Sequence, residues 1–179
     1  MHNTVINNIG DLVVVPTVRD IDEAERLAKH FPAVLTVGPS QHEVRFGHDN
    51  HLVLTFGDTI QPNDPYGPQP EHVEQIVNFG LANNSAILVH CHAGMSRSTS
   101  SAIAIMIAKG VDPAVAVAAL SDAHPTKRAF IPNDTIVAIT AKMFDVPELP
   151  GLVAKVERWS SREYDPFPLT NNSPIYSEI

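Results

Sequence analysis

The stretch Ala86–Ser98, AILVHCHAGMSRS, holds the residues whose types and spacing could do chemistry. An apolar run ends at Val89-His90, a loop of small residues follows, and helical patterning begins near Arg97. At such a strand–loop–helix junction the backbone N–H groups of His92, Ala93, Gly94, Met95, Ser96 and Arg97 can converge into an anion-binding nest. The helix N-terminus adds the positive end of its dipole. Gly94 lets the backbone curl. A cysteine at the base of this nest, Cys91, sits where negative charge is favoured, so a thiolate nucleophile is expected there. Arg97 brings a planar fork of donors that matches phosphate oxygens, and Ser98 can offer its hydroxyl to the sulfur. A lone Cys after an apolar strand is ordinarily a small core residue. Here His90, Gly94, Arg97 and Ser98 surround it in a pattern that composition alone would yield about once in a million.

The signature His90-Cys91-x-x-Gly94-x-x-Arg97-Ser98 resembles the phosphate-binding loop of the cysteine-dependent protein tyrosine phosphatase superfamily. Among its branches it is most similar to the compact dual-specificity phosphatases. The resemblance covers roughly Ala33 to Phe144. It implies a phosphomonoester hydrolase working through a cysteinyl-phosphate, with an Asp as general acid and base and with no metal or organic cofactor. Expulsion of an alkoxide or phenoxide needs a proton donor held over the nest. Asp58, at the end of the strand-like run HLVLTF and Gly57, matches the family's acid position. Asp64 lies deeper in the same loop and is the competing candidate, while either could simply form a turn. Asp165-Pro166 resembles the acid of low-molecular-weight phosphatases, but in those the Cys motif opens the chain. Arg128-Ala-Phe-Ile-Pro132-Asn133 resembles the family's turn into a helix behind the loop, so Asn133 is expected as an N-cap that supports the loop. Arg128 could border the pocket or be a solvated turn residue.

His90 is read as a group hydrogen-bonded below the loop, steadying the thiolate. His90 and His92 flank Cys91, but a zinc site lacks further Cys or helically spaced His ligands. His42, His48, His51 and His72 are taken as surface or core fillers. Two readings of other classes stay open: a weak pseudophosphatase or phosphate-binding module with the same fold, and a sulfur-transferring or arsenate-reducing enzyme. The second fits poorly, because rhodanese-type loops are shorter between Cys and Arg and arsenate reduction enlists further cysteines.

The elements that must hold this loop follow from periodicity. Asp11–Pro16, Ala33–Val37, His51–Phe56 and Ala86–Val89 read as strands. Ile21–His30, with Asp20 and Glu23 as a capping box, Glu71–Leu81, Arg97–Lys109, Pro113–Leu120 behind Asp112, and Asn133–Phe144 read as helices. Gly57–Pro70 contains four Pro and two Gly, so it is a stiffened loop. Strands alternating with helices, then helices alone, predict an α/β domain with a central, partly parallel sheet flanked by helices. Residues 1–157 are assigned to this phosphatase-like domain and residues 158–179 to a C-terminal arm or flexible tail.

The chain has 179 residues, enough for one core, and a formal net charge of −8. That balance speaks against broad binding to nucleic acid or anionic membrane, so an anion must be caught locally. A single Cys and the absence of a basic, apolar start lead us to expect a reducing, cytoplasmic setting. No apolar run approaches the ~20 residues of a membrane span. The family resemblance implies a phosphorylated protein or a small phosphoester as the partner. No basic residue lies between Cys91 and Arg97, which weighs against polyphosphorylated inositides. Oligomeric state leaves no trace in the sequence.

Overall fold

The computed structural model describes residues 13–14, 21–38, 47–61, 64–123, 129–156 and 158–159. Four strands form the main sheet: β1 (Val13–Val14), β2 (Ala33–Gly38), β3 (His51–Thr55) and β4 (Ile87–His90), in the order β1-β4-β2-β3. Every pairing in it is parallel. The other sheet is a short antiparallel ribbon, β5 (Ala129–Phe130) with β6 (Arg158–Trp159). Six helices complete the described residues: α1 (Ile21–Ala28), α2 (Pro70–Ala82), α3 (Arg97–Ala108), α4 (Pro113–Ala123), α5 (Asp134–Met143) and α6 (Leu149–Val156). The expected Asp11–Pro16 strand survives as Val13–Val14, and its remaining residues lie outside the described set, as do Asp20, Arg128 and the Asp165-Pro166 pair.

Parallel strands must be covered on both faces, and the sequence supplies that cover. Leu35, Val37, Ile87 and Val89 point into the main core with residues of α2 to α6. Val34 and Leu88 point the other way, onto Ala24 and Ala28 of α1. All strand ends that follow the chain direction therefore lie along one edge, and β4 delivers Cys91 there. Parallel α/β sheets place ligand sites outside this carboxyl edge.

The helix that follows the loop, α3, is buried from Arg97 to Ile107. From Ala102 onward it is apolar on all sides, as a buried helix must be, and the polar residues of its first turns are buried with their hydroxyls bonded to backbone carbonyls. Its neighbour α2 approaches closely at Gly80, where a Cβ would sit 2.7 Å from Ile105 Cγ2. Asp112 caps α4, its Oδ1 accepting from the Ala114 and Val115 amides at 2.9 and 3.1 Å. The start of α2 at Pro70 places that ring in the first turn, where a missing N–H costs nothing. Helix α6 and the β5–β6 ribbon are not anticipated by the sequence patterning. The ribbon joins the first residues of the expected C-terminal arm to the turn before Asn133.

Candidate active site

Residue by residue, the junction after β4 folds a loop around a sulfur. Cys91 is 7% exposed. Its Sγ accepts from the Gly94 amide at 3.2 Å and lies 3.1 Å from Ser98 Oγ, a contact in which either atom could donate. Gly94 adopts φ 69°, the left-handed region that favours glycine, and this redirects the chain immediately after the amide that bonds the sulfur.

The hydroxyls at the start of α3 explain how the loop holds its shape. Thr99 Oγ1 donates to the Met95 and Ser96 carbonyls, both at 2.7 Å, Ser100 Oγ to Ser96 at 2.8 Å, and Ser101 Oγ to Arg97 at 2.7 Å. The Ile131 amide adds a bond to the Met95 carbonyl at 3.2 Å. In a trans peptide the N–H points opposite to the preceding carbonyl. Fixing these carbonyls toward the helix therefore aims the amides of Ser96, Arg97 and Ser98 away from it.

Arg97, 7% exposed, donates from Nη1 to the Phe56 carbonyl at 2.9 Å, which ties the guanidinium to the end of the β3 segment. Its Nε is buried and carries no hydrogen-bond partner. The carboxylate of Asp58 faces it, with Oδ2 3.9 Å away. A buried, unpaired donor costs ~1–3 kcal/mol, so a fold that keeps one usually has a use for it.

Asp58 is brought to this place by three groups. Its Oδ1 accepts from Ser96 Oγ at 2.6 Å and from Asn133 Nδ2 at 2.9 Å. Asn133 also grips the loop backbone, donating to the Thr59 carbonyl at 3.1 Å, while Thr135 Oγ1 donates to the same oxygen at 3.3 Å. The other end of the Asn133 amide caps α5, Oδ1 accepting from the Thr135 and Ile136 amides, both at 3.1 Å. One side chain thus ends a helix and holds a carboxylate. Asp64 does something else: its Oδ1 accepts from the Tyr66 amide at 2.9 Å, a local turn that lets the Tyr66 carbonyl receive Gly57 N–H at 2.6 Å.

Beneath the loop, His90 is 3% exposed, with Nδ1 3.3 Å from the Cys91 carbonyl and Nε2 2.7 Å from Thr36 Oγ1. Burial pushes its pKa down from 6.5 to about 4, a shift only partly opposed by the Cys91 carbonyl. Its imidazole is therefore neutral near pH 7. His92 stands exposed at the rim, Ala93, Met95 and Ser96 are half-buried, and Gly94 is buried. Three participants escape the sequence reading: Thr36, the Phe56 carbonyl and Thr135. Thr36 alone left a signal, as the one polar side chain in the buried run AVLTV.

This geometry can be set against proteins of known structure. Human DUSP28 superposes with a TM-score of 0.56 at 19% identity, over 78% of this chain and 96% of that one. The chain has the fold of the compact dual-specificity phosphatases. PTPMT1 in complex with PI(5)P gives 0.56 at 18% identity over 82% and 96% of the two chains. The human tyrosine phosphatase-like serine/threonine/tyrosine-interacting protein gives 0.54 at 18% over 78% and 95%. No protein-family model matches the chain, and no curated protein sequence matches it significantly. On this dual-specificity phosphatase fold, the Cys91 loop occupies the carboxyl edge of the central strand β4. Among the described residues no helix is long and apolar enough to cross a membrane.

Proposed function

We propose that the chain is a phosphomonoester hydrolase of the dual-specificity type, with Cys91 as nucleophile and Asp58 as general acid and base. The observation that carries the reading is the buried Arg97 Nε, which has no hydrogen-bond partner, stands 3.9 Å from the Asp58 carboxylate and belongs to the segment that folds around Cys91. A dianionic phosphoryl group supplies the acceptor this donor lacks, and the loop amides supply the rest of its shell.

The chemistry then follows in two steps. Cys91 Sγ attacks phosphorus, the bond to the ester oxygen breaks, and the departing oxygen takes the proton of Asp58. Because Oδ1 already accepts from Ser96 and Asn133, the transferable proton sits on Oδ2. In the second step Asp58, now a carboxylate, takes a proton from water as its oxygen attacks phosphorus. The S–P bond breaks and the thiolate leaves with the Ser98 hydroxyl as its donor. Neither step needs a metal or an organic cofactor.

Phosphorylated proteins or small phosphoesters suit the site better than inositides. The PTPMT1 structure is a complex with PI(5)P, but here the loop carries no Lys or Arg between Cys91 and Arg97. A reducing, cytoplasmic setting accords with a single reactive thiol. Metal-free hydrolysis of an aryl phosphate by the wild type, Cys91→Ser, Asp58→Asn and Asp64→Asn tests the assignment. Cys91→Ser should abolish turnover, Asp58→Asn should lower kcat by about 10²-fold or more, and Asp64→Asn should stay within about threefold because its side chain serves a turn. If the wild type binds phosphate without turning over substrate, a phosphate-binding module replaces the enzyme. If Asp64→Asn is the crippled variant, the acid is Asp64.

A further inference from the structure

A line of three polar side chains crosses the α1-facing side of the sheet and ends under the phosphate loop. Thr36 on β2 and His90 on β4 are register partners, and His51 opens β3 opposite Val34, two positions before Thr36. Thr36 Oγ1 lies 2.7 Å from His90 Nε2 and 2.7 Å from His51 Nε2. Burial falls along the line: Thr36 is 2% exposed and His90 3%, while His51 is only half-buried.

The direction of these bonds is fixed by elementary hydrogen-bond chemistry. A carbonyl can only accept, so the His90 nitrogen facing the Cys91 carbonyl, Nδ1, carries the proton. In the neutral ring Nε2 is then an acceptor, and the single Thr36 hydroxyl proton must be given to it. The Thr36 oxygen is left to accept, so His51 Nε2 must be the donor. The chain runs His51 to Thr36 to His90 to the Cys91 carbonyl, each group giving to the next. If His90 took the other tautomer, its Nδ1 lone pair would face the lone pairs of that carbonyl and push on the loop backbone that carries the sulfur.

We propose that His51 is a positioning residue for Cys91, acting through the Thr36 hydroxyl to fix the tautomer and ring orientation of His90 and so to set how readily Cys91 becomes a thiolate. The role rests on Cys91 being the reactive group of the proposed function, but not on turnover. His51 can charge without reversing the chain, since its Nε2 keeps a proton in either state. Several titratable groups share this surroundings. His48 meets His51 edge-on at 6.5 Å from the turn before β3, α1 on the same face carries Glu25 and Arg26, the turn that follows α1 carries Lys29 and His30, and Arg97 stands beyond the loop.

The test is the pH dependence of Cys91 alkylation by iodoacetamide, unambiguous in a chain with one cysteine. It is read for wild type, Thr36→Val, Thr36→Ser, His51→Leu and His51→Gln, with thermal melts to confirm folding. Thr36→Val and His51→Leu should alkylate about three- to tenfold more slowly at pH 6.5, with the midpoint raised by about half to one pH unit. Thr36→Ser and His51→Gln, which keep a hydroxyl and an amide donor in place, should stay within about twofold of wild type. In the wild type, imidazole nitrogen NMR should show the proton on Nε2 of His51 and on Nδ1 of His90. A wild-type midpoint in His51→Leu, or the opposite tautomer on His90, overturns the proposal, and the NMR result decides it even if a variant fails to fold. An inactive wild type whose alkylation follows the expected pattern would instead overturn the phosphatase reading and leave the relay standing.

Discussion

Asn133 and Arg97 show how single side chains bear the site, and each makes a prediction. The Asn133 amide caps α5 with its oxygen and holds Asp58 with its nitrogen. Asn133→Asp keeps the cap acceptor but sets a buried oxygen against Asp58 Oδ1 and the Thr59 carbonyl, so it should cost about 1–3 kcal/mol of urea stability and lower kcat by about 10- to 100-fold through misplacement of Asp58. Asn133→Ala should lose the cap as well as the hold on Asp58, at a cost of about 1–2 kcal/mol in the same denaturation experiment. Arg97→Lys keeps the charge but cannot bond the Phe56 carbonyl and a phosphoryl oxygen as a planar fork, so kcat/KM on an aryl phosphate should fall by about 10²-fold or more. At this scale the loop was legible because its residues are contiguous: the spacing of Cys91, Gly94, Arg97 and Ser98 marks them as one loop, and the structure folds Gly94 and Ser98 onto the Cys91 sulfur. The Phe56 carbonyl was not, since a backbone acceptor contributed from a distant strand end has no sequence signature. His51 was not either, because a histidine beginning an edge strand has no mark that separates a filler from a donor to Thr36.

Helices α2 and α6 each contain a glycine, and the same substitution should act in opposite directions on them. A Cβ at Gly80 would fall 2.7 and 2.8 Å from the branches of Ile105, a fully buried side chain, so Gly80→Ala should destabilise by about 1–3 kcal/mol despite its better helix propensity. At Gly151 nothing lies within 4 Å, so Gly151→Ala should stabilise by about 0.5–1 kcal/mol. Urea denaturation of the two variants beside the wild type checks both signs. The elements that sequence periodicity located are those with caps and clean patterns, such as α4 behind Asp112 and α5 behind Asn133. Helix α6 was hidden although Leu149, Leu152, Val153 and Val156 follow helical spacing. Pro150 and Gly151 read as breakers, yet Pro150 occupies the first turn, where it is tolerated. Two-residue strands such as β5 and β6 are too short for any alternation to appear.

Taken as a whole, the molecule keeps a neutral histidine at the centre of its sheet, and that sets its response to acid. His90 binds its proton with a pKa of about 4 when folded against 6.5 when unfolded, so between these values the unfolded chain holds more protons. Stability is therefore full above about pH 6.5 and falls as pH drops toward about 4, by about 3 kcal/mol in total from this group. Burial lowers the pKa of His72 as well, which acts in the same direction. Unfolding free energies at pH 8, 6 and 5 should show this slope, and His90→Gln should flatten it; an unchanged slope in that variant would assign the acid sensitivity elsewhere. The claim on which the functional account depends is covalent chemistry at one sulfur. The most direct measurement is rapid acid quench of Asp58→Asn during turnover of an aryl phosphate with a good leaving group, followed by intact-mass and peptide analysis. Such a leaving group departs without an acid, while hydrolysis of the intermediate still needs the base, so a single phosphoryl group should accumulate on Cys91 and be absent from Cys91→Ser. Turnover that persists in Cys91→Ser, or a phosphoryl group found on any other residue, would contradict the account.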